Sequence, residues 1–260
     1  MLYNLKIEWL KIKSYKAFWV FMILYLVSII GINYIGYYIY LQTVKQLPMT
    51  EAILRNPYSF PKVWQTIGWI GSWLLYLPGI IIILLASNEF SFKTHRQNII
   101  DGWSRNEFVY TKILLIIVFS LVITVITTFT TLLFGFISGS DFTFDNTENI
   151  LYVFIQTVSY ISFALLLSVL FRRSGVALII FFIYGLIFET IASGLLNRYV
   201  YTPLGYFMPL QTTDVLIPLP FGNKIIYKNA PEVSTLLVAA LAYLGLYYFF
   251  ITRKFQHDDL

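Results

Sequence analysis

Asn88-Glu-Phe-Ser-Phe-Lys-Thr-His-Arg-Gln-Asn-Ile-Ile-Asp-Gly-Trp-Ser-Arg-Asn-Glu107 is a polar, mostly basic island between two long apolar runs, the whole reaching from Tyr76 to Phe119. The runs need lipid around them, because that much contiguous apolar surface has no place in water. The island needs water or another protein, because its backbone and charged groups cannot lie in hydrocarbon. A chain that alternates in this way crosses a membrane more than once.

The rest of the sequence repeats the pattern. Hydrophobic residues make up 58% and charged residues 12%, against about 25% charged in soluble domains, and mean hydropathy is +0.72. A helix needs about 20 apolar residues to cross the hydrocarbon core. Six stretches meet that length: Ala17–Leu41, Val63–Ser87, Lys112–Ile137, Asn149–Phe171, Gly175–Leu196 and Val233–Thr252. The first is too long for a signal-peptide core and no small-residue cleavage site follows it, so it is expected to remain as an anchor. The expected fold is all-α: one polytopic membrane domain over residues 1–260 with six transmembrane helices.

The net charge of +5 is not a nucleic-acid signal. Its basic residues sit in short clusters beside apolar runs, where they set topology and meet anionic lipid. Placing the N-terminus inside puts twelve basic residues on cytoplasmic pieces, from Lys6, Lys11, Lys13 and Lys16 through Lys93, Arg96, Arg105, Lys112, Arg172 and Arg173 to Arg253 and Lys254; the other six lie outside. Both termini are therefore expected in the cytoplasm. The chain has no cysteine, which rules out disulfides, thiolate metal sites and cysteine nucleophiles. His95 and His257 lie far apart and outside the apolar runs, so no metal ligands and no catalytic set are expected.

The connections carry further information. Ser138–Glu148 reads as a short acidic outer turn, and Arg172-Arg173-Ser174-Gly175 as a tight inner one. Residues 197–232 are semi-apolar and interrupted by Pro203, Pro209, Pro218, Pro220 and Pro231. Such a segment is too broken for a spanning helix and too apolar for a solvated loop, which predicts short helices dipping back into the outer leaflet. Residues 1–16 place Leu2, Leu5, Trp9 and Ile12 at three- and four-residue spacing, the pattern of an amphipathic helix lying on the inner surface, with Lys6 and Lys13 snorkelling to phosphate. A plain charged flank of the first span is the alternative. Within the island, residues 94–101 can make two helical turns ended by Gly102. Ile99 and Ile100 on such a helix suit cover by a soluble partner; a loop folded on its own membrane helices is the other reading.

Six spans, an N-terminal amphipathic helix, Glu89 closing the second span and the pattern Thr94-x-Arg96…Gly102-x-Ser104-Arg105…Lys112 resemble the ABC-2 type permease family, the membrane subunits of ATP-binding-cassette exporters. The likeness runs over essentially the whole chain, and its size and lack of a large outer domain are similar to the bacitracin- and lantibiotic-resistance branch. The resemblance implies that residues 88–107 hold a coupling helix docking on a separate ATPase subunit through Glu89, Thr94, Arg96, Asn98, Ile99, Ile100, Gly102, Ser104 and Arg105. This chain has no phosphate-binding loop of its own; ATP and Mg would be bound by the ATPase partner. The chain itself would hold no cofactor and would not be an enzyme. The resemblance further implies a second permease copy or paralogue, a bacterial cytoplasmic membrane, and export of a hydrophobic, peptide-like or lipid-like substrate. A non-transporting structural or sensor subunit is the alternative function.

Two groups keep two readings each. Glu189 is the one charge inside an apolar run, about 22 Å from the inner surface at 1.5 Å per residue. It is either a gating or cavity-lining group, or a structural contact to Arg198, Asn197 or the outer segment, capping its broken backbone. The aromatics Tyr34, Tyr37, Tyr38, Tyr40, Trp64, Trp69, Trp73, Tyr199, Tyr201, Tyr206 and Phe207 form an interface belt or line a site for a greasy substrate.

Overall fold

The computed structural model describes residues 2–47, 55–100, 102–220 and 229–257, and the side chains of all of these except residues 2–4, 95, 96, 98 and 257. Every regular element among them is helical. Helix α1 (Leu2–Lys13) turns at Ser14 and Tyr15 into α2 (Lys16–Gln46), the first span. The second span is α3 (Lys62–Leu74) followed by α4 (Tyr76–Ser91). The short α5 (Thr94–Ile100) leads to α6 (Arg105–Ile137) and then α7 (Asn149–Phe171). The fifth span joins α8 (Ser174–Phe182) and α9 (Glu189–Leu195) through π-helical turns at Ile183–Phe188 and Leu196–Val200. A 3₁₀ turn (Leu204–Phe207) and α10 (Gln211–Asp214) precede the last span, α11 (Val233–His257). Six of these stretches are long and apolar enough to cross a membrane, and the chain is a multi-pass membrane protein.

The bundle is built around α7. Its most apolar stretch is 78% buried within the protein, against 22% for the first span and 17% for the fifth. The second span breaks at Leu75, where Pro78 has no N–H for the Leu74 carbonyl and its ring crowds that oxygen. Close approach of α4 to α8 needs Gly79, since a Cβ there would overlap the Phe181 ring; beside it, Tyr76 and Phe182 stack with centroids 5.3 Å apart. Several buried hydroxyls on α6 and α7 return to their own helix. Thr124, Thr127 and Thr131 donate to the carbonyls of Ser120, Ile123 and Thr127, and Thr157 to that of Val153. These four hydroxyls are thus satisfied without water.

One end of the bundle is rich in basic residues. There the Arg172 guanidinium lies 5.7 Å from the Phe90 ring, and Phe90 stacks on Phe255 at 5.7 Å. Only Arg172 and Arg173 separate α7 from α8, with Arg172 at φ 54° in the left-handed region. The tight turn expected there is present.

Several boundaries differ from the sequence reading. The second span runs to Ser91 and the third starts at Arg105, so the connecting region shrinks from 88–107 to 92–104. The third span begins early because Ser104 caps it. The Ser104 hydroxyl accepts from the Glu107 N–H at 3.2 Å and the Glu107 carboxylate accepts from the Ser104 N–H at 2.8 Å, a reciprocal capping box. The fifth span continues to Val200 and takes in Asn197 and Arg198. Helix α1 buries Glu8 and Ile12 while Trp9 stays half exposed, so the inward face carries a carboxylate and the tryptophan lies at its edge, lining one hollow with Ile12 and Phe18. Of the expected belt, Tyr34, Tyr38, Tyr199 and Tyr201 are exposed, whereas Trp64 and Tyr206 are buried.

At the end opposite the basic cluster, residues 201–220 pack into the bundle rather than over it. Val215, Leu216 and Ile217 are buried against Val153, Tyr206 and Leu236. The polar backbone finds partners: Gln65 donates to the Pro218 carbonyl at 2.8 Å, Tyr243 to that of Phe207 at 2.7 Å, and Gly205 N–H to the Asn197 side chain at 2.7 Å. Residues 221–228, part of the expected outer segment, lie outside the described residues.

Candidate functional site

Two polar constellations lie inside this apolar bundle. At the basic end, four charged side chains close into one cluster. The Lys112 ammonium on α6 donates to Glu8 on α1 at 2.6 Å and to Glu89 on α4 at 2.5 Å. Lys11 donates to the same two carboxylates at 2.8 and 3.2 Å. Two acids and two bases balance, which is what allows charge to be buried. Burial alone would push the Glu8 carboxyl up, but Lys112 and Lys11 outweigh it and hold it below 4.5. The cluster fastens α1 to the helices on both sides of α5.

The expected coupling residues divide between this cluster and the surface. Glu89 faces inward and is a member of the cluster. Thr94 opens α5, its hydroxyl 3.5 Å from the Glu89 carbonyl. Ile99 is half-buried, and Ile100 is 77% exposed. Phe92, just ahead of the helix, is 76% exposed. Gly102 has φ 100° and its N–H meets the Ile99 carbonyl at 3.1 Å, the left-handed helix stop read from the sequence. Ser104 caps α6. Arg105 reaches the far end of the chain, donating to the carbonyls of Phe255, at 3.3 Å, and Gln256. The side chains of Arg96 and Asn98 lie outside the described residues. A hollow of about 240 Å³ lies beside the cluster, with Lys11, Tyr15, Glu89, Phe92 and Thr94 in its wall.

The second constellation lies at mid-depth in the bundle. Glu189 is buried just past the first π-helical turn, and its Oε1 accepts from the N–H groups of Leu210 and Gln211 at 2.7 and 3.0 Å. These are free donors at the start of α10, so Glu189 caps the outer segment. Of the partners expected for it, Arg198 lies over the Tyr199 ring at 5.3 Å and Asn197 holds Gly205. The Oε2 of Glu189 is buried without a hydrogen-bond partner among the described residues.

Sequence reasoning missed Asp214, at the other end of α10. It accepts from Gln156 at 2.8 Å and from the Tyr160 hydroxyl at 2.9 and 3.0 Å. Tyr160 stands about eleven residues into α7, so roughly 17 Å along it. Burial pushes the Asp214 carboxyl up to about 6, against the opposing effect of the Gln156 and Tyr160 hydrogen bonds. A cavity of about 130 Å³ opens at this carboxylate, walled by Trp69, Trp73, Tyr76, Tyr160 and Gln211. Trp69 and Trp73 therefore face a cavity as well as the membrane boundary. Its aromatic walls are two edge-to-face pairs, Trp69–Trp73 at 6.1 Å and Tyr76–Tyr160 at 5.7 Å. The only hint of Asp214 in the sequence is an acidic residue among prolines and apolar side chains.

Comparison with known proteins adds one finding. The model of a family described as Protein of unknown function (DUF2705) matches residues 59–260, which include every residue of both constellations except Glu8 and Lys11. No curated protein matches the chain.

Proposed function

We propose that this chain, which belongs to the family described as Protein of unknown function (DUF2705), is the permease subunit of an ATP-driven exporter. One observation carries the reading: α5 is a two-turn helix at the basic end that leaves Ile100, and Phe92 beside it, more than three-quarters exposed. A helix this short is not stable alone, and large apolar side chains at such a position are what a docking partner would cover. In this reading the partner is a separate ATPase subunit that binds ATP and Mg. The basic end faces the cytoplasm of a bacterial cell, with both termini there.

The cluster of Glu8, Lys11, Glu89 and Lys112 supports a mechanical role. A push on α5 reaches α4 through Glu89, α6 through Lys112, and α1 through both. The sparse burial of the fifth span leaves a face for a second permease copy or a paralogue, so that two chains would frame one pathway. Residues 201–220 would form the re-entrant outer wall, consistent with Asp214 meeting α7 near its middle. Helix α1, with Trp9 and Leu10 half exposed, would lie at the inner interface. The cargo would be a hydrophobic, peptide-like or lipid-like molecule.

The test is affinity purification of the tagged chain from its native membrane in mild detergent, with identification of any P-loop ATPase that comes with it. The wild type is expected to retain one, and Ile100→Asp combined with Phe92→Asp to lose it while the melting temperature stays unchanged. Retention by the double variant, or no ATPase with the wild type, refutes the coupling role of α5.

A further inference from the structure

Glu189 and Asp214 bracket one short helix, α10, from its two ends; Glu189 is buried and Asp214 is half-buried at the cavity. Their donors are neutral: the N–H groups of Leu210 and Gln211 on one side, Gln156 and the Tyr160 hydroxyl on the other. Among the described residues no Lys or Arg pairs with either carboxylate. The arrangement is the reverse of the basic end, where two acids meet two ammonium groups. Carboxylates drawn away from water without a cation are costly unless they take a proton or a positive charge is brought to them.

The cavity at Asp214 is shaped for the second outcome. Its volume of about 130 Å³ is roughly ten times what one water requires. Two pairs of aromatic rings wall it, and aromatic faces attract cations, most strongly when water is excluded. It opens where Trp73 is 58% exposed and Thr190 is exposed, whereas Tyr76 and Tyr160 are buried at 7% and 4%. An entering group therefore meets Trp73 first and ends against a carboxylate held in place by Gln156 and Tyr160. Sodium is small and strongly hydrated and gains little from the rings. A methylated or primary ammonium fits both the space and the aromatic walls.

From this geometry we infer that the Asp214 cavity binds an organic ammonium group, with Asp214 as counter-ion and Trp69, Trp73, Tyr76 and Tyr160 as an aromatic cage. This site does not depend on the ATPase partner proposed above and is testable on the chain alone.

The experiment is a titration of the purified chain in mild detergent with tetramethylammonium chloride against equal sodium chloride, reading intrinsic tryptophan fluorescence at pH 8. A saturable change with tetramethylammonium and none with sodium is expected. Asp214→Asn should raise the midpoint at least tenfold. Trp73→Leu, at a position 58% exposed, should raise it several-fold. A control change of the surface carboxylate, Glu148→Gln, should leave it unchanged. The inference is overturned by no saturable response, by an equal response to sodium, or by Trp73→Leu and Asp214→Asn both titrating like the wild type.

Discussion

Replacing Lys112 with Met is the most direct probe of how the basic end is held together. The ammonium sits 2.6 Å from Glu8 and 2.5 Å from Glu89, with side-chain exposures of 7%, 3% and 10% for the three groups. Met fills a similar volume, so the change removes charge more than packing. It leaves two buried carboxylates facing one ammonium, Lys11, whose side chain is 30% exposed. Removing one partner of a buried ion pair costs about 3–5 kcal/mol. At about 2–4 °C per kcal/mol for a chain of this size, the melting temperature should fall by about 6–20 °C, followed by far-UV circular dichroism in mild detergent. Adding Glu8→Gln restores the balance at one acid and one base, and should recover about 1–2 kcal/mol of the loss, within the range for coupled neighbours. The pH dependence has a definite sign. Glu8 binds its proton less readily in the fold than in the unfolded chain, so its contribution is complete above 4.5 and is lost as pH falls through the lower folded value. Wild-type stability should therefore drop below pH 4.5 more steeply than that of Glu8→Gln. A Lys112→Met variant melting within about 3 °C of wild type, equivalent to about 1 kcal/mol, would refute the view that the cluster holds α1, α4 and α6 together.

Glu189→Gln should melt close to wild type, because the amide oxygen can still accept from Leu210 and Gln211. Glu189→Leu should lose roughly 1–3 kcal/mol through two unpaired N–H groups, and a Gln variant as unstable as the Leu variant would contradict the capping role. The absence of cysteine makes any introduced thiol a single reporter of topology. Thr147→Cys and Asn229→Cys should react with an impermeant maleimide on intact cells while Lys93→Cys does not. A Thr147→Cys that reacts only after lysis would overturn the orientation.

The sequence shows the six spans plainly, because length and apolarity are local properties. The stop at Gly102 is equally local: a glycine after a short polar helix marks a left-handed turn. The start of the third span is read too late, at Lys112, because hydropathy registers a helix only where it turns apolar. The signal for Arg105 is nevertheless in the chain, as Ser104-x-x-Glu107. The two constellations were harder to see for a different reason. Lys112 finds Glu8 across 104 positions and Asp214 finds Gln156 and Tyr160 across 58 and 54, separations that no local pattern encodes. Glu189 stands out as a lone charge in a greasy run, but the identity of its partners, Leu210 and Gln211, required the path of the outer segment.

The central position of α7 bears on how the chain is made. As the fourth span to leave the ribosome, it reaches the bilayer before α8, α9 and α11 exist to surround it. Its Gln156, Thr157, Ser159, Ser162 and Ser168 are all buried in the finished bundle. Until the later helices arrive, those polar side chains have only the earlier spans, the translocation machinery or lipid to lie against. Phe163, which meets Tyr184 at 4.9 Å and Tyr247 at 5.8 Å, gains those neighbours last. Biogenesis therefore passes through a stage in which the future core is covered on one side only, and a chaperone or insertase that shelters a partly covered polar helix would act there.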